Sequence, residues 1–476
     1  MKKTLLAYGV MIFSFGILLA VILHFGSRLQ SAKPSQSPVT SVEVSSSADI
    51  QNFFSNLQQP IPILLLQIVA IIVVARVMGF LFEKLNQPAV IGEMLAGILL
   101  GPSLLGIVAP KAEVFLFPTA AMDILKMLSQ LGVILFMFSV GLELDVVPLR
   151  RKAHTAVMVS HAGILTPFIF GMALALLLYP LVVLSKDIPF SAFGLFMGIA
   201  MSITAFPVLA RILEERGLAK SQIGITAIAC AAVDDATAWC GLAIVVAVVK
   251  SRGLSGALLT ILLTLAFVGI MLFLIKPAAG YLLQKLNSDS APGRGVLAII
   301  FVFIFTSALA TEVIGIHALF GAFLAGIVLS QAVNLRKHLK QNIEMFTSTF
   351  LLPLFFAYTG LRTQIGLLAS WQSWLMCASI ISVAILGKFG GSLLAARLTG
   401  MSWFDSASIG ALMNTRGLME LIALNIGYDL GILPPQIFAM MVLMALATTF
   451  MTSPLLSLFT ILKERALPTP TSIEPT

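Results

Sequence analysis

Cys-Ala-Ala-Val-Asp-Asp-Ala-Thr-Ala-Trp-Cys, residues 230–240, places two adjacent carboxylates, Asp234 and Asp235, midway along an apolar run from about Ile223 to Val249. That run is long enough to cross a bilayer, which takes about 20 residues. A carboxylate at membrane depth costs at least ~2.5 kcal/mol on insertion scales, and two in a row cost more unless paired or protonated. Binding a cation or a proton justifies that cost; the bland alternative is a structural ion pair between helices. Neighbours on a helix lie about 100° apart. One Asp can therefore face a water-filled cavity while the other faces a packed neighbour.

The rest of the chain is apolar almost throughout. Of its 476 residues, 59% are hydrophobic and only 11% charged, against roughly 25% charged in a soluble domain, and the mean hydropathy is +1.02. This is the composition of an all-α polytopic membrane protein. The net charge of +8 bears on topology and implies no nucleic-acid partner. Cys230, Cys240 and Cys377 form no C-x-x-C pair and lie in apolar runs, so they read as small buried hydrophobes.

Residues 1–26 carry Lys2 and Lys3 and then an apolar run, which fits an N-terminal anchor or a signal peptide. No small-x-small cleavage site follows, which favours the anchor. Residues 27–60 are rich in Ser, Gln and Pro and read as a polar linker. From Ile61 onward thirteen hydrophobic segments follow, at about 61–82, 88–108, 123–143, 153–183, 190–213, 222–249, 254–285, 293–311, 313–332, 343–363, 370–397, 403–428 and 432–462. Cytoplasmic loops collect Lys and Arg. Alternate loops, starting with the one holding Lys84 and ending with Lys463 and Arg465, contain fifteen basic residues; the intervening loops hold five, Lys111, Lys186, Lys250, Arg252 and Arg362. This asymmetry predicts a cytoplasmic C-terminus and an external 27–60 linker. Six segments (61–250) precede the 254–285 helix and six (293–463) follow it, with a cytoplasmic tail at 464–476. Equal halves about one linker helix predict two inverted repeats, a plan of secondary transporters.

The fifth segment of each half is interrupted. In the first, Pro207 follows Ser202 and Thr204 by about one turn and removes a backbone donor. In the second, Asn414-Thr415-Arg416-Gly417 sits between apolar halves. Such breaks are tolerated only when buried in protein or lining a cavity. Half-helix ends then offer carbonyls to cations and amides to anions. Arg416 and Glu420, four apart on one face, are expected to pair, and a structural role suits them as well as transport does. Lys388, in a glycine-rich segment, needs an acidic partner because desolvation penalises a lone ammonium. The expected partner is Asp234, which leaves Asp235 to bind the ion. Glu93 is well inside a segment and reads as paired or protonated; Glu143 and Asp145 read as interfacial. His161 and His317 read as packing residues.

Four stretches together resemble the monovalent cation:proton antiporter family, in its KefB- and NapA-like branch. They are Gln87-Pro88-Ala89-Val90-Ile91-Gly92-Glu93 with Gly97-Ile98-Leu99-Leu100-Gly101-Pro102-Ser103; Thr204-Ala205-Phe206-Pro207; Asp234-Asp235 with Thr237-Ala238-Trp239; and Asn414-Thr415-Arg416-Gly417. The resemblance covers about residues 61–463. It implies a core of segments 4–6 and 11–13, and a scaffold of segments 1–3 and 8–10 that forms a homodimer. It also implies that the second Asp binds the ion while the first pairs with a helix Lys, which carries over to Asp235, Asp234 and Lys388. An Asp-Asp pair is typical of the sodium-handling, electrogenic branch. The N-terminal anchor and linker depart from the family pattern. No G-x-G-x-x-G fingerprint is present, which disfavours a nucleotide-gated potassium efflux system.

The expected function is therefore antiport of a monovalent cation, Na+ before K+ or Li+, against protons, by alternating access, with no enzymatic activity and no cofactor. Asp235 holds Na+ or a proton, with Asp234 beside it. Ser202, Thr204 and carbonyls near Asn414 complete an oxygen shell suited to a hard cation. The expected location is a bacterial cell membrane or an internal membrane such as a thylakoid. Three rivals remain: a cation channel, an ion-coupled solute symporter, and an intramembrane aspartyl protease, which would need its two Asp on different helices.

Overall fold

Backbone polar groups in lipid must bond within their own segment, so apolar runs of this length become helices. The computed structural model describes residues 59–85, 87–143, 149–183, 188–250, 254–285, 293–331 and 333–466, and among these every regular element is helical. The anchor, most of the linker, Asp145 and the last ten residues lie outside the described residues.

Among the described residues, eleven helices are long and apolar enough to cross a membrane. That is two fewer than the thirteen segments read from the sequence. The segment expected at 313–332 is the 12-residue helix Ala318–Leu329. The one expected at 403–428 is two half-helices, Trp403–Met413 and Leu418–Asp429, each too short to cross alone. Cys230 and Cys377 are buried, but Cys240 is exposed on the outside of its helix, where an apolar thiol can face lipid as readily as protein.

The helices associate in two groups. In the first, Pro60–Lys84, Ala89–Leu100, Thr119–Glu143, Arg294–Ile314, Ala318–Leu329 and Leu352–Arg362 pack on one another. Lipid is as apolar as a leucine side chain, so such helices gain most where small residues let their backbones touch. Gly97 and Gly360 meet at one crossing: a Cβ added to Gly360 would lie 2.5 Å from the Gly97 Cα. Gly141 and Gly326 meet at another, where a Cβ on Gly141 would lie 3.0 Å from the Gly326 Cα. These crossings join segments 2 with 10 and 3 with 9.

In the second group, Leu149–Val182 packs against Phe190–Ser202, Gln222–Lys250 and the Trp371–Leu398 span. Here too glycines set the approach. A Cβ on Gly387 would lie 2.7 Å from the Pro167 Cα, and one on Gly391 would lie 3.0 Å from the Ala162 carbonyl oxygen. The Trp371–Leu398 span is not a uniform α-helix. It contains a π-helical turn at Leu386–Gly390 that carries Lys388.

A valine at position 360 cannot be absorbed by side-chain movement, because the nearest atoms are backbone. Gly360→Val should therefore cost at least the ~1–3 kcal/mol typical of overpacking. Thermal unfolding in detergent should show a lowered midpoint, whereas Gly366→Ala, at a position with open space, should leave it unchanged.

Candidate ion-binding site

The site forms where the two interrupted helices cross. In the first, Phe190–Ser202 ends and Phe206–Glu215 begins, with Ile203-Thr204-Ala205 non-helical between them. Pro207 explains where the gap falls. It has no N–H, so no amide four residues on can reach the Ile203 carbonyl, and proline itself fits the first turn of the new helix. In the second, Asn414-Thr415-Arg416-Gly417 separates Trp403–Met413 from Leu418–Asp429. The two gaps bond to each other. The Ala205 amide donates to the Thr415 carbonyl at 2.9 Å, and Thr204 Oγ1 donates to the Met413 carbonyl at 3.0 Å.

A helix C-terminus leaves carbonyls without partners and carries partial negative charge. At the end of Phe190–Ser202 two side-chain cations meet that need. Arg416 donates to the carbonyls of Ala200 (3.1 Å) and Met201 (2.6 Å), and Lys388 donates to that of Ser202. Lys388 Nζ also lies 3.1 Å from both carboxylate oxygens of Asp234, and the Thr204 amide donates to Asp234 Oδ2 at 3.1 Å. Lys388 and Asp234 are both 0% exposed. Arg416 pairs with Glu420 at 3.3 Å, also with both side chains fully buried.

Asp235 stands differently. It is buried, and neither of its carboxylate oxygens has a hydrogen-bond partner among the described residues. Within the crossover the cations Lys388 and Arg416 are matched by Asp234 and Glu420, so Asp235 is the odd carboxylate. An unpaired buried carboxylate does not persist as a bare anion; it takes a cation or a proton. The side-chain oxygen of Asn414 is likewise buried without a partner, while its amide lies 3.8 Å from Met451 Sδ.

Of the residues singled out from sequence, Asp234, Lys388, Thr204, Ser202, Arg416 and Glu420 share one connected network. The Ser202 hydroxyl is engaged with the Ile164 and Gly198 carbonyls at 2.9 and 2.8 Å, so it is the backbone of Ser202 that meets Lys388. Thr204 likewise uses its hydroxyl to tie the two gaps together. Glu93 sits apart, 3.7 Å from Arg76. His161 contacts the Val157 carbonyl within its own helix, and His317 caps the helix Ala318–Leu329.

Sequence reading missed two things. One is the capping role of Arg416 toward the other broken helix. The other is Thr449 on the last helix, Pro435–Ala466. Its Oγ1 accepts from the Arg416 amide at 3.0 Å and lies 2.6 Å from the Arg416 carbonyl, so it clamps the second gap. Thr452 adds a contact to Thr415 at 3.3 Å. The signal was available: Thr448-Thr449 and Thr452-Ser453 are polar pairs in an otherwise apolar helix.

Removing the guanidinium strands both Glu420 and the carbonyls at the half-helix end. Arg416→Gln should cost roughly 3–5 kcal/mol, as for breaking a buried pair, read as a lower thermal midpoint in detergent. The R416Q/E420Q double variant should recover part of that loss.

Comparison with known proteins follows the same lines. The family model described as "Sodium/hydrogen exchanger, transmembrane" matches residues 68–460. The chain is 44% identical over 394 residues to a protein of Synechocystis named Na(+)/H(+) antiporter NhaS4, a match covering 83% of this chain and 96% of that protein. It is 38% identical to Cation/H(+) antiporter 20 of Arabidopsis thaliana and 32% identical to K(+)/H(+) antiporter 1 of Saccharomyces cerevisiae. Those matches cover 87% and 86% of this chain but only 50% and 48% of the relatives, so it spans about half their length. The solved structure of the sodium proton antiporter MjNhaP1 from Methanocaldococcus jannaschii superposes with a TM-score of 0.60. It covers 84% of this chain and 97% of that one at 17% identity, which establishes a shared fold.

Proposed function

The chain belongs to the sodium/hydrogen exchanger family, and from that membership and the odd carboxylate at the helix crossing we propose that it exchanges a monovalent cation for protons at Asp235. The observation that carries the site is the contrast between the two neighbours. Asp234 is held by Lys388 and the Thr204 amide, whereas Asp235 has two buried oxygens without partners. A cation and a proton compete for one carboxylate, and that competition is the coupling. When Asp235 faces one side of the membrane it loses a proton and takes the cation; when it faces the other, the reverse occurs.

The alternatives are not favoured. The relatives are transporters. Adjacent Asp residues on one helix cannot flank a peptide bond together, which disfavours a protease. A channel has no use for a carboxylate whose charge must be matched at every step.

Na+ is the proposed cation, in keeping with the name of the Synechocystis relative. The yeast relative is named for K+, so K+ is the specific competitor. Asn414 Oδ1, buried and unpartnered, and the Ile203 carbonyl freed by Pro207 are the proposed additional oxygen ligands beside Asp235. Lys388 is the proposed second proton carrier: a cation that draws Asp234 away leaves its ammonium unpaired, and loss of that proton makes exchange electrogenic.

The proposed architecture is two inverted six-helix repeats about the 254–285 linker. The paired glycine crossings support it. Exchanging the repeats maps segment 2 onto 9 and 3 onto 10, which interconverts the Gly97–Gly360 and Gly141–Gly326 crossings. The first group of helices is then a scaffold that dimerises, and the second is the moving core. A bacterial cell membrane or an internal membrane such as a thylakoid, with a cytoplasmic C-terminus, completes the proposal.

In everted vesicles loaded with a pH-sensitive dye, added Na+, Li+ or K+ should dequench fluorescence for the wild type and not for Asp235→Asn. Dequenching that survives D235N would remove Asp235 from the site. Lys388→Gln should retain exchange but lose its dependence on membrane potential; an unaltered voltage response would remove Lys388 from the proton count.

A further inference from the structure

The half-helix Leu418–Asp429 begins at the second gap and runs about 18 Å, at 1.5 Å per residue, to the face that loop charges assign to the exterior. Its far end carries Asn425, Tyr428 and Asp429 on one face, spaced i, i+3 and i+4. The scaffold helix Leu352–Arg362 ends against that face. Arg362 donates to Asn425 Oδ1 at 3.0 Å and to Asp429 Oδ1 at 2.5 Å. Its guanidinium lies between two rings, Tyr358 of the scaffold at 4.4 Å and Tyr428 of the core at 4.8 Å. Asn425 Nδ2 donates to Thr359 Oγ1 at 2.7 Å. A second scaffold cation, Lys126, lies 3.2 Å from Asp429 Oδ2. Around these contacts is a cleft of about 30 Å³, also lined by Ser129, Gln130 and His317 from the scaffold and Ile426 from the core.

We propose that Arg362, clamped between Asp429, Asn425 and the two tyrosine rings, is an outer latch that closes the cation route on the exterior side and must release for Asp235 to face outward. This rests on the alternating-access reading above. Three features fit a latch rather than permanent glue. The contact joins Leu352–Arg362 of the first group to Leu418–Asp429, which packs on Phe190–Ser202 of the second. It is polar, so water can replace each bond when it opens, unlike a backbone-to-backbone glycine crossing. And it grips the outer end of the same half-helix whose inner end forms the site, so a tilt that frees the latch also moves the gap. On the opposite face the corresponding tie is looser. Arg211 on the second half of the other broken helix meets Glu83 at 2.9 Å, with side chains 42% and 50% exposed, against 15% and 25% for Arg362 and Asp429. Of these two ties, the outer one is the more enclosed.

Two measurements test it. The first uses Ile426→Cys in a Cys240→Ala background and a membrane-impermeant thiol reagent added outside right-side-out vesicles. Adding Arg362→Gln should raise the labelling rate several-fold; an unchanged rate overturns the latch. This arm needs no transport, so it reads the latch even where no cation is exchanged, which would sink the antiport reading instead. The second uses Arg362→Cys with Asp429→Cys and a short bifunctional methanethiosulfonate. Cross-linking should cut cation-dependent dequenching more than tenfold, with recovery on reduction. Full exchange by completely cross-linked protein overturns the latch, and if the double variant is inactive before cross-linking the labelling rate decides.

Discussion

A charge removed from water must find an opposite charge or give up its own. Nearly every unusual feature of this chain follows from that constraint acting on a few residues at mid-membrane. Lys388 and Arg416 could not be buried alone, so each is joined to a carboxylate and to carbonyls at the end of a half-helix. Those carbonyls are available only because the helix stops at Ser202. The interruption and the cations thus require each other: without the gap the lysine would lack its Ser202 acceptor, and without the cations the carbonyl end would be stranded. Within that closed arrangement a third carboxylate, Asp235, is left over. A site at which a cation and a proton compete for one carboxylate needs such a remainder.

Two kinds of contact stand out in the packing of the helix groups. Inside the first group, Gly97 meets Gly360 and Gly141 meets Gly326 with no side chains between. Such contacts depend on dispersion and shape, and they are lost if either helix slides. Between the groups, near Asp429 and near Arg211, ion pairs and hydrogen bonds add to shared apolar packing, and their net worth is small because water offers a substitute.

Much of this was legible in sequence for physical reasons. Hydropathy gave the spans because lipid enforces helices. The Asp pair and Lys388 stood out because charges are rare at that depth, and Arg416 and Glu420 because their spacing puts them on one face. The two short segments were harder. The run 313–332 looks continuous, but Gly315 turns the chain at φ 102° and His317 at φ 110°, and only the twelve residues Ala318–Leu329 within it form the next helix. Pro207 marked the first break without fixing its bounds: the gap is Ile203-Thr204-Ala205, and Pro207 itself sits in the first turn of the next helix. Thr449 was only half legible: the polar pairs Thr448-Thr449 and Thr452-Ser453 mark its helix, but a helix hydroxyl usually bonds its own helix, and nothing in the sequence says that this one also clasps residue 416, 33 positions away.

The π-helical turn at Leu386–Gly390 has a consequence for how this lysine came to point where it does. A π turn holds one residue more than an α turn. Shortening the span by one residue anywhere between its start at Trp371 and Lys388 would restore a regular helix and swing the lysine by about 100°, away from Asp234, with no change in the identity of any group at the site. The aim of the ammonium is thus set by residue count as much as by residue type. A chain carrying the same lysine, the same glycines and the same Asp pair, but one residue fewer, would keep its composition and lose its charge balance.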